Sequence, residues 1–249
     1  MGLVMIGLVS AGLVALGVRL LRLSHRTGAR PELWLGLAFL FAGGSAWLIP
    51  LAATDGLPTP TARSLAFIAQ GGLAVAIAFL ALFTGCVFRP DSSSDSATRW
   101  LAPLLVAANV AAAVAVFASG MPLPVGRVGL FVLLSRCAVL LWLFVESALY
   151  AQRMRRRIQL GLGDPLVANR FTLWAIWTGA LACIPLFVLA LRMLGILEAP
   201  VPGAPLPAAV RAIIAVLGMG GAAALVACWL AFFPPATYRS WIMRTAPAR

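Results

Sequence analysis

Seven long apolar stretches constrain the fold of this chain more than any other feature of its sequence. They cover residues 2–21, 33–53, 64–88, 100–120, 128–150, 171–193 and 208–233. A helix that crosses the hydrocarbon core of a bilayer needs about 20 apolar residues. Strands of a membrane barrel would be shorter and would alternate in polarity, which these stretches do not. The sequence therefore predicts an all-α fold, a transmembrane bundle of seven helices that forms a single domain over residues 1–249.

The distribution of basic residues predicts how the bundle is oriented. All 19 basic residues are arginine, and the formal net charge is +12. If the loop after the first stretch is cytoplasmic, the arginines on that side are Arg19, Arg22, Arg26, Arg30, Arg89, Arg99, Arg153, Arg155, Arg156, Arg157, Arg170, Arg239, Arg244 and Arg249. The outer side then holds Arg63, Arg127, Arg192 and Arg211. Cytoplasmic loops of membrane proteins are enriched in basic residues. We therefore expect a multi-pass protein of a cell inner membrane, with the N-terminus outside and the C-terminus inside.

The same distribution predicts the partners of the basic residues. They flank apolar stretches in short loops, where anionic lipid head groups are the usual partner. A basic surface for nucleic acid would not be divided among such loops, so we expect no binding of nucleic acid. The first stretch is not a cleaved signal peptide, because its positive charges follow the apolar run instead of preceding it.

Two ionisable residues, Arg136 and Glu146, lie inside the fifth apolar stretch. Ionisable groups at membrane depth are costly and usually face the bundle interior. Ten residues, or about 15 Å, separate the two along one helix, so they cannot pair directly.

Each of these residues therefore needs another partner, and depth in the membrane suggests candidates. Asn109 and Gln70 match the depth of Arg136, which predicts a polar ligand pocket formed by these three residues. For Glu146 we expect a switch or proton site that also includes Thr84 and Thr178. The alternative is structural: interhelical hydrogen bonds that hold the bundle together, with Glu146 near Arg153 or water.

The segment between the fifth and sixth stretches predicts a helical corner at the membrane surface. Gly161 and Gly163 end one helix, and Asp164 followed by Pro165 is typical of the start of the next. The corner is a candidate contact for a cytoplasmic partner or for lipid through Arg153, Arg155, Arg156, Arg157 and Arg170. After Pro234 and Pro235, the spacing of Tyr238, Trp241 and Ile242 predicts a short amphipathic helix on the inner leaflet.

Several kinds of chemistry are excluded by the residues that the chain lacks. Its one histidine, His25, lies in the first inner loop, which excludes haem or metal ligation by paired histidines within the stretches. No phosphate-binding glycine loop is present, and no Ser/His/acid arrangement is possible. The four cysteines lie within apolar stretches without the spacing of a metal site. We therefore expect neither an enzyme, nor a metal site, nor a cofactor.

Seven stretches with an outer N-terminus resemble the topology of rhodopsins and G-protein-coupled receptors. Rhodopsins hold retinal through a lysine of the seventh helix, and this chain contains no lysine, so covalent retinal is excluded. The chain is more similar to a group of uncharacterised bacterial seven-helix membrane proteins. The strings that carry the similarity are Phe88-Arg89-Pro90, Arg155-Arg156-Arg157, Leu160-Gly161-Leu162, Asp164-Pro165, Asn169-Arg170-Phe171, Leu173-Trp174, Phe233-Pro234-Pro235, Tyr238-Arg239 and Trp241. This similarity implies a fold and no particular activity.

The function that these features favour is a receptor-like sensor or signalling protein. An apolar or anionic ligand would bind between the helices, and the basic corner would meet a cytoplasmic or membrane partner. Two alternatives remain open. Weak similarity between the first three and the last three stretches would suit a small transporter. Full pairing of the buried polar groups within the protein would instead suit a structural or accessory subunit of a membrane complex.

Overall fold

The described chain is entirely helical. The computed structural model describes residues 2–52, 59–89, 96–119, 126–193, 195 and 208–245. The helices of these residues are α1 (Gly2–Thr27), α2 (Arg30–Ala52), α3 (Thr59–Phe88), α4 (Ser96–Ser119), α5 (Gly126–Gln159), α6 (Pro165–Met193), α7 (Ala208–Phe232) and α8 (Ala236–Thr245). The all-α prediction is confirmed, and each predicted apolar stretch coincides with one of the helices α1 to α7. Residues 53 and 120, at the ends of two stretches, and Arg249 lie outside the described residues.

The long helices pack as a closed ring. Each contacts the helix before it and the helix after it, α7 packs back on α1, and α3 also packs on α5. Short connections make neighbouring helices antiparallel. The ends of α1, α3, α5 and α7 therefore lie with the starts of α2, α4 and α6. We call this end of the bundle the arginine-rich end; its described side chains include Arg19, Arg22, Arg26, Arg30, Arg89, Arg153, Arg155, Arg156, Arg157, Arg170, Arg239 and Arg244.

Several of the helices have the length and composition of membrane spans. Five helices within the described residues meet both requirements, and they lie in α1, α3, α4, α5 and α6. A further candidate is the part of α7 from Gly220 to Phe232 together with α8, which is bent from it by 81°. Large apolar side chains such as Leu8, Leu104 and Val114 are more than half exposed, as expected for a surface that faces lipid tails. The chain is therefore a multi-pass helical membrane protein.

Small residues bring α1 and α2 into close contact. A Cβ atom on Gly17 would lie 2.8 Å from the backbone oxygen of Gly36 on α2. A Cβ atom on Gly43 would lie 2.9 Å from the backbone oxygen of Ser10 on α1. Glycine at these positions allows the two backbones to touch, which is a common basis of helix association in membranes.

Candidate functional site

The three residues predicted to form a polar ligand pocket do lie together. Arg136 of α5 donates a hydrogen bond from Nη2 to Oε1 of Gln70 on α3, at 2.8 Å. Asn109 of α4 is buried, and its side-chain amide donates to the backbone oxygens of Leu105 at 3.0 Å and Ser135 at 3.5 Å. Because α3 packs on both α4 and α5, side chains from these helices converge at one depth.

The space beside these three residues is small. They line one cavity with a volume of about 10 Å³, which holds about one water molecule. No carboxylate of the described residues pairs with Arg136. Binding of a molecule larger than water would require α3, α4 and α5 to separate. Ligand binding by Arg136, Asn109 and Gln70 therefore stays a prediction, and it depends on such a movement.

Glu146 pairs with a residue that the depth argument did not propose. Nε and Nη2 of Arg89 donate to Oε1 of Glu146 at 2.9 and 2.7 Å. Nε1 of Trp142, one turn earlier on α5, donates to the same oxygen at 3.3 Å. The side chain of Glu146 is 9% exposed, whereas that of Arg89 is 39% exposed. The pair thus connects the residue after the end of α3 to the buried face of α5.

Thr84 and Thr178 are not bonded to Glu146. The Thr84 hydroxyl donates to the Leu80 oxygen of its own helix at 2.7 Å, and the Thr178 hydroxyl donates to the Trp174 oxygen at 2.8 Å. Both threonines are fully buried, which is the usual reason for such bonds within a helix. A switch or proton site that includes all three residues stays a prediction. Within the described structure, the partners of Glu146 are instead Arg89 and Trp142.

The sequence contains a signal for Arg89. Arg89 directly follows the third apolar stretch, and the charge distribution and the string Phe88-Arg89-Pro90 both include it without predicting a partner for it. An arginine side chain at a helix end is long enough to reach back toward the membrane interior. Considering the arginines at stretch ends as possible partners would have included Arg89.

The helical corner between α5 and α6 has the predicted construction. Gly161 adopts a φ of +71°, and its N–H donates to the Ile158 oxygen at 2.9 Å. The Leu162 N–H donates to the Arg157 oxygen at 2.8 Å, which completes a Schellman end of α5. Oδ1 of Asp164 accepts from the Leu166 N–H at 2.8 Å and so caps α6.

The arginines of the corner divide into two groups. Arg153, Arg155, Arg156 and Arg157 lie on the exposed last turns of α5, and Nη2 of Arg155 donates to the Thr172 hydroxyl at 3.3 Å. Arg170 instead faces a cleft between α6, α7 and α8. Contact with a partner or with lipid through these arginines stays a prediction, and the two groups offer separate surfaces for it.

A mainly apolar cavity lies among the described helices, and the sequence did not predict it. Its volume is about 220 Å³, and it lies among α1, α2, α3, α6 and α7. We call it the apolar cavity; its lining includes Leu13, Phe39, Leu80, Trp177, Gly221 and Leu225. An apolar cavity of roughly 150 Å³ is large enough to bind benzene. The apolar cavity therefore has room for a somewhat larger apolar molecule.

Aromatic side chains connect the apolar cavity with the Arg89–Glu146 pair. We call them the aromatic cluster, and its members are Phe39, Phe83, Phe88, Tyr150, Phe171, Trp174, Trp177 and Phe232. Phe39 contacts Trp177 with ring centroids 5.2 Å apart, and Trp177 contacts Trp174 at 5.5 Å. From Trp174 the contacts continue to Phe83 at 4.9 Å, and from there to Phe88 at 6.5 Å.

The far end of the aromatic cluster lies at the ion pair. Phe88 precedes Arg89 in the chain, and its ring lies 5.8 Å from that of Tyr150, which is one turn beyond Glu146 on α5. All of these separations fall within the range at which aromatic rings attract one another. A wall of the apolar cavity is thus in continuous contact with the arginine-rich end.

The described residues offer no metal site. Within the described ranges, no group of three His, Cys, Asp or Glu side chains is placed to hold a metal ion. Cys137 and Cys228 are buried free thiols within the helices.

The chain matches no family model, no curated protein and no solved structure in the corresponding comparisons.

Proposed function

We propose that this protein is a receptor-like sensor that binds a small apolar molecule in the apolar cavity. In this proposal α1 to α7 all cross the inner membrane of a bacterium, with the N-terminus outside. The arginine-rich end then faces the cytoplasm, where a separate partner would read the state of the bundle. The similarity of the corner and tail motifs to bacterial seven-helix proteins is consistent with this topology.

The observation that carries the proposal is the position of Trp177. Its side chain is 2% exposed, lines the apolar cavity and belongs to the aromatic cluster. A ligand in the cavity would press on Trp177, and packed interiors transmit such displacements because they have few voids. The aromatic cluster continues to the Arg89–Glu146 pair, so occupancy of the cavity would alter the contact between α3 and α5. Spatial continuity motivates this coupling, and measurement has to establish it.

Two neighbouring glycines provide a matched test of the cavity. Gly221 lines it, whereas Gly220 does not, and a Cβ atom on either would meet no atom within 4 Å. Gly221→Leu should therefore fill the cavity without a clash, and Gly220→Leu should leave it open. The purified chain would be photolabelled with 3-trifluoromethyl-3-phenyldiazirine, a small apolar probe, and the labelled peptides identified by mass spectrometry.

We expect unlabelled naphthalene to compete with the probe, so that labelling of the peptides that contain Phe39 and Trp177 decreases in a saturable manner. That saturable labelling should be lost in Gly221→Leu and retained in Gly220→Leu. Equal labelling of both variants and the parent chain would contradict a cavity site. Signalling is tested separately, by hydrogen exchange of residues 155–172 with and without naphthalene. If the probe binds and exchange at this corner does not change, the sensor function fails although the cavity site stands.

The second candidate is an accessory subunit of a membrane complex. It is favoured by the pairing of buried polar side chains within the protein, as in Glu146 with Arg89 and in the helix-internal bonds of Thr84 and Thr178. An accessory subunit needs no ligand, so the same photolabelling experiment separates the two candidates. A small transporter would in addition require a water-filled path, and the cavity beside Arg136 holds about one water molecule.

A further inference from the structure

A second cleft lies at the arginine-rich end, apart from the apolar cavity. Its volume is about 430 Å³, and it is bounded by the start of α6, the end of α7 and α8. One part of its wall is apolar and includes Leu166, Val167 and Leu230. Another part of the lining is formed by Arg170 and Arg239. The cleft thus combines an apolar surface with concentrated positive charge.

The positive charge of this cleft is only partly offset by the described residues that line it. Arg170 and Arg239 are both exposed, and neither forms an ion pair with a carboxylate of the described residues. Asp164 also lines the cleft, but its Oδ1 atom is occupied by the Leu166 N–H at the start of α6. Two guanidinium groups against one carboxylate leave a net positive site.

A hydrogen bond holds the two arginine-bearing elements together. Nδ2 of Asn169 donates to the Tyr238 hydroxyl at 3.0 Å, which joins α6 to α8. Arg170 follows Asn169 and Arg239 follows Tyr238, so this bond fixes the backbones that carry both arginines. The cleft is therefore built by the fold, and its charges do not lie on free chain ends.

The position of α8 relates the cleft to the surface of a bilayer. The axis of α8 is bent by 81° from the last part of α7, so α8 runs nearly along the membrane plane if α7 crosses it. Ile242 is buried against the bundle and Trp241 is 57% exposed. An exposed tryptophan on such a helix is typical of the headgroup level of a membrane. Basic pockets between membrane helices on the cytoplasmic side bind anionic lipid head groups.

We infer that this cleft binds one anionic phospholipid of the adjacent leaflet. The guanidinium groups of Arg170 and Arg239 bind its phosphate, since arginine matches phosphate oxygens with paired N–H donors. The apolar wall at Leu166, Val167 and Leu230 takes the start of the acyl chains. This inference does not depend on the proposed sensor function, because none of the residues that line the cleft also lines the apolar cavity.

The test measures lipid binding to the full chain in detergent by native mass spectrometry. Dioleoyl phosphatidylglycerol is titrated, with dioleoyl phosphatidylcholine as the zwitterionic comparison that has a phosphate but no net charge. The variant is R170Q/R239Q, and the matched control R153Q/R156Q removes the same charge from exposed turns of α5 outside the cleft. Two lost charge-assisted bonds should weaken the tightest phosphatidylglycerol site by about tenfold or more in R170Q/R239Q. The control should keep its affinity within about twofold of the parent chain, because surface charges alone contribute little.

Three results would overturn the inference. An equal loss of affinity in both double variants would mean that phosphatidylglycerol binding depends on the net charge of the protein and not on the cleft. Equal binding of phosphatidylcholine would mean that the headgroup charge is not recognised. Displacement of phosphatidylglycerol by inorganic phosphate at a similar concentration would mean that the site binds a free anion. R170K/R239K guards against misfolding of the glutamine variant. It keeps the charge but loses the paired N–H donors, so its affinity should lie between that of R170Q/R239Q and that of the parent chain.

Discussion

At the scale of single residues, the unequal burial of Arg89 and Glu146 determines what each contributes. The Glu146 side chain is 9% exposed and that of Arg89 is 39% exposed. If Glu146 is removed, Arg89 can turn toward water or lipid head groups. If Arg89 is removed, the Glu146 carboxylate remains buried, and among the described residues only Trp142 still donates to it, at 3.3 Å. Breaking a buried pair costs most when it leaves a buried charge without its partner.

We therefore predict that Arg89→Met destabilises the bundle more than Glu146→Gln does. Loss of a partner from a buried pair costs about 3–5 kcal/mol, and partial exposure should reduce this to roughly 2–3 kcal/mol here. Glu146→Gln keeps an acceptor oxygen and should cost about 1 kcal/mol. The free energy of unfolding of each variant is measured in mixed micelles with increasing sodium dodecyl sulfate. Arg153→Met is the control, as Arg153 is exposed on the same end of the bundle. Equal costs for the two variants would contradict the argument from burial.

At the scale of helices, the sequence predicts the elements well and their contacts only in part. Apolar length identifies α1 to α7, and Gly161 with Asp164 identifies the α5–α6 corner, because these signals are local in the chain. Which faces of α1 and α2 touch depends on how the ring closes. The close approach at Gly17 and Gly43 is therefore visible only in three dimensions.

This close approach leads to a prediction of opposite sign for two glycines. Gly17→Ala places a Cβ atom 2.8 Å from the backbone oxygen of Gly36, and backbone cannot move aside as a side chain can. Such overpacking should destabilise the bundle by about 1–3 kcal/mol. Gly44→Ala on α2 meets no atom within 4 Å and should stabilise it by about 0.5–1 kcal/mol, the usual gain of alanine over glycine in a helix. Thermal unfolding of the two detergent-solubilised variants shows whether each substitution raises or lowers the stability of the bundle. Destabilisation by Gly44→Ala would refute the steric explanation.

At the scale of the whole molecule, the candidate sites follow from residues far apart in sequence. The apolar cavity is lined by five helices, and its residues are ordinary apolar ones that carry no signal of their own. The cleft between α6, α7 and α8 unites Arg170 with Arg239, which lie in separate segments of the sequence. Depth matching did bring Arg136 and Gln70 together, because both are conspicuous polar residues in apolar stretches. The sequence thus identifies polar residues that stand out in apolar stretches. It cannot predict a cavity whose lining consists of ordinary apolar residues from several helices.

The proposed orientation can be tested at the two ends of a single helix. Arg127 and Arg156 are exposed residues near opposite ends of α5, about 44 Å apart along the helix axis. Each would be replaced by cysteine in a chain in which the exposed Cys86 and Cys183 are alanine. If the arginine-rich end is cytoplasmic, a membrane-impermeant maleimide should label Arg127→Cys in intact bacterial cells. Arg156→Cys should react only in inverted membrane vesicles, because the positive-inside rule places its flank in the cytoplasm. The reverse pattern would show that the arginine-rich end lies outside the cytoplasm. Labelling of both positions in intact cells would mean that α5 does not cross the membrane.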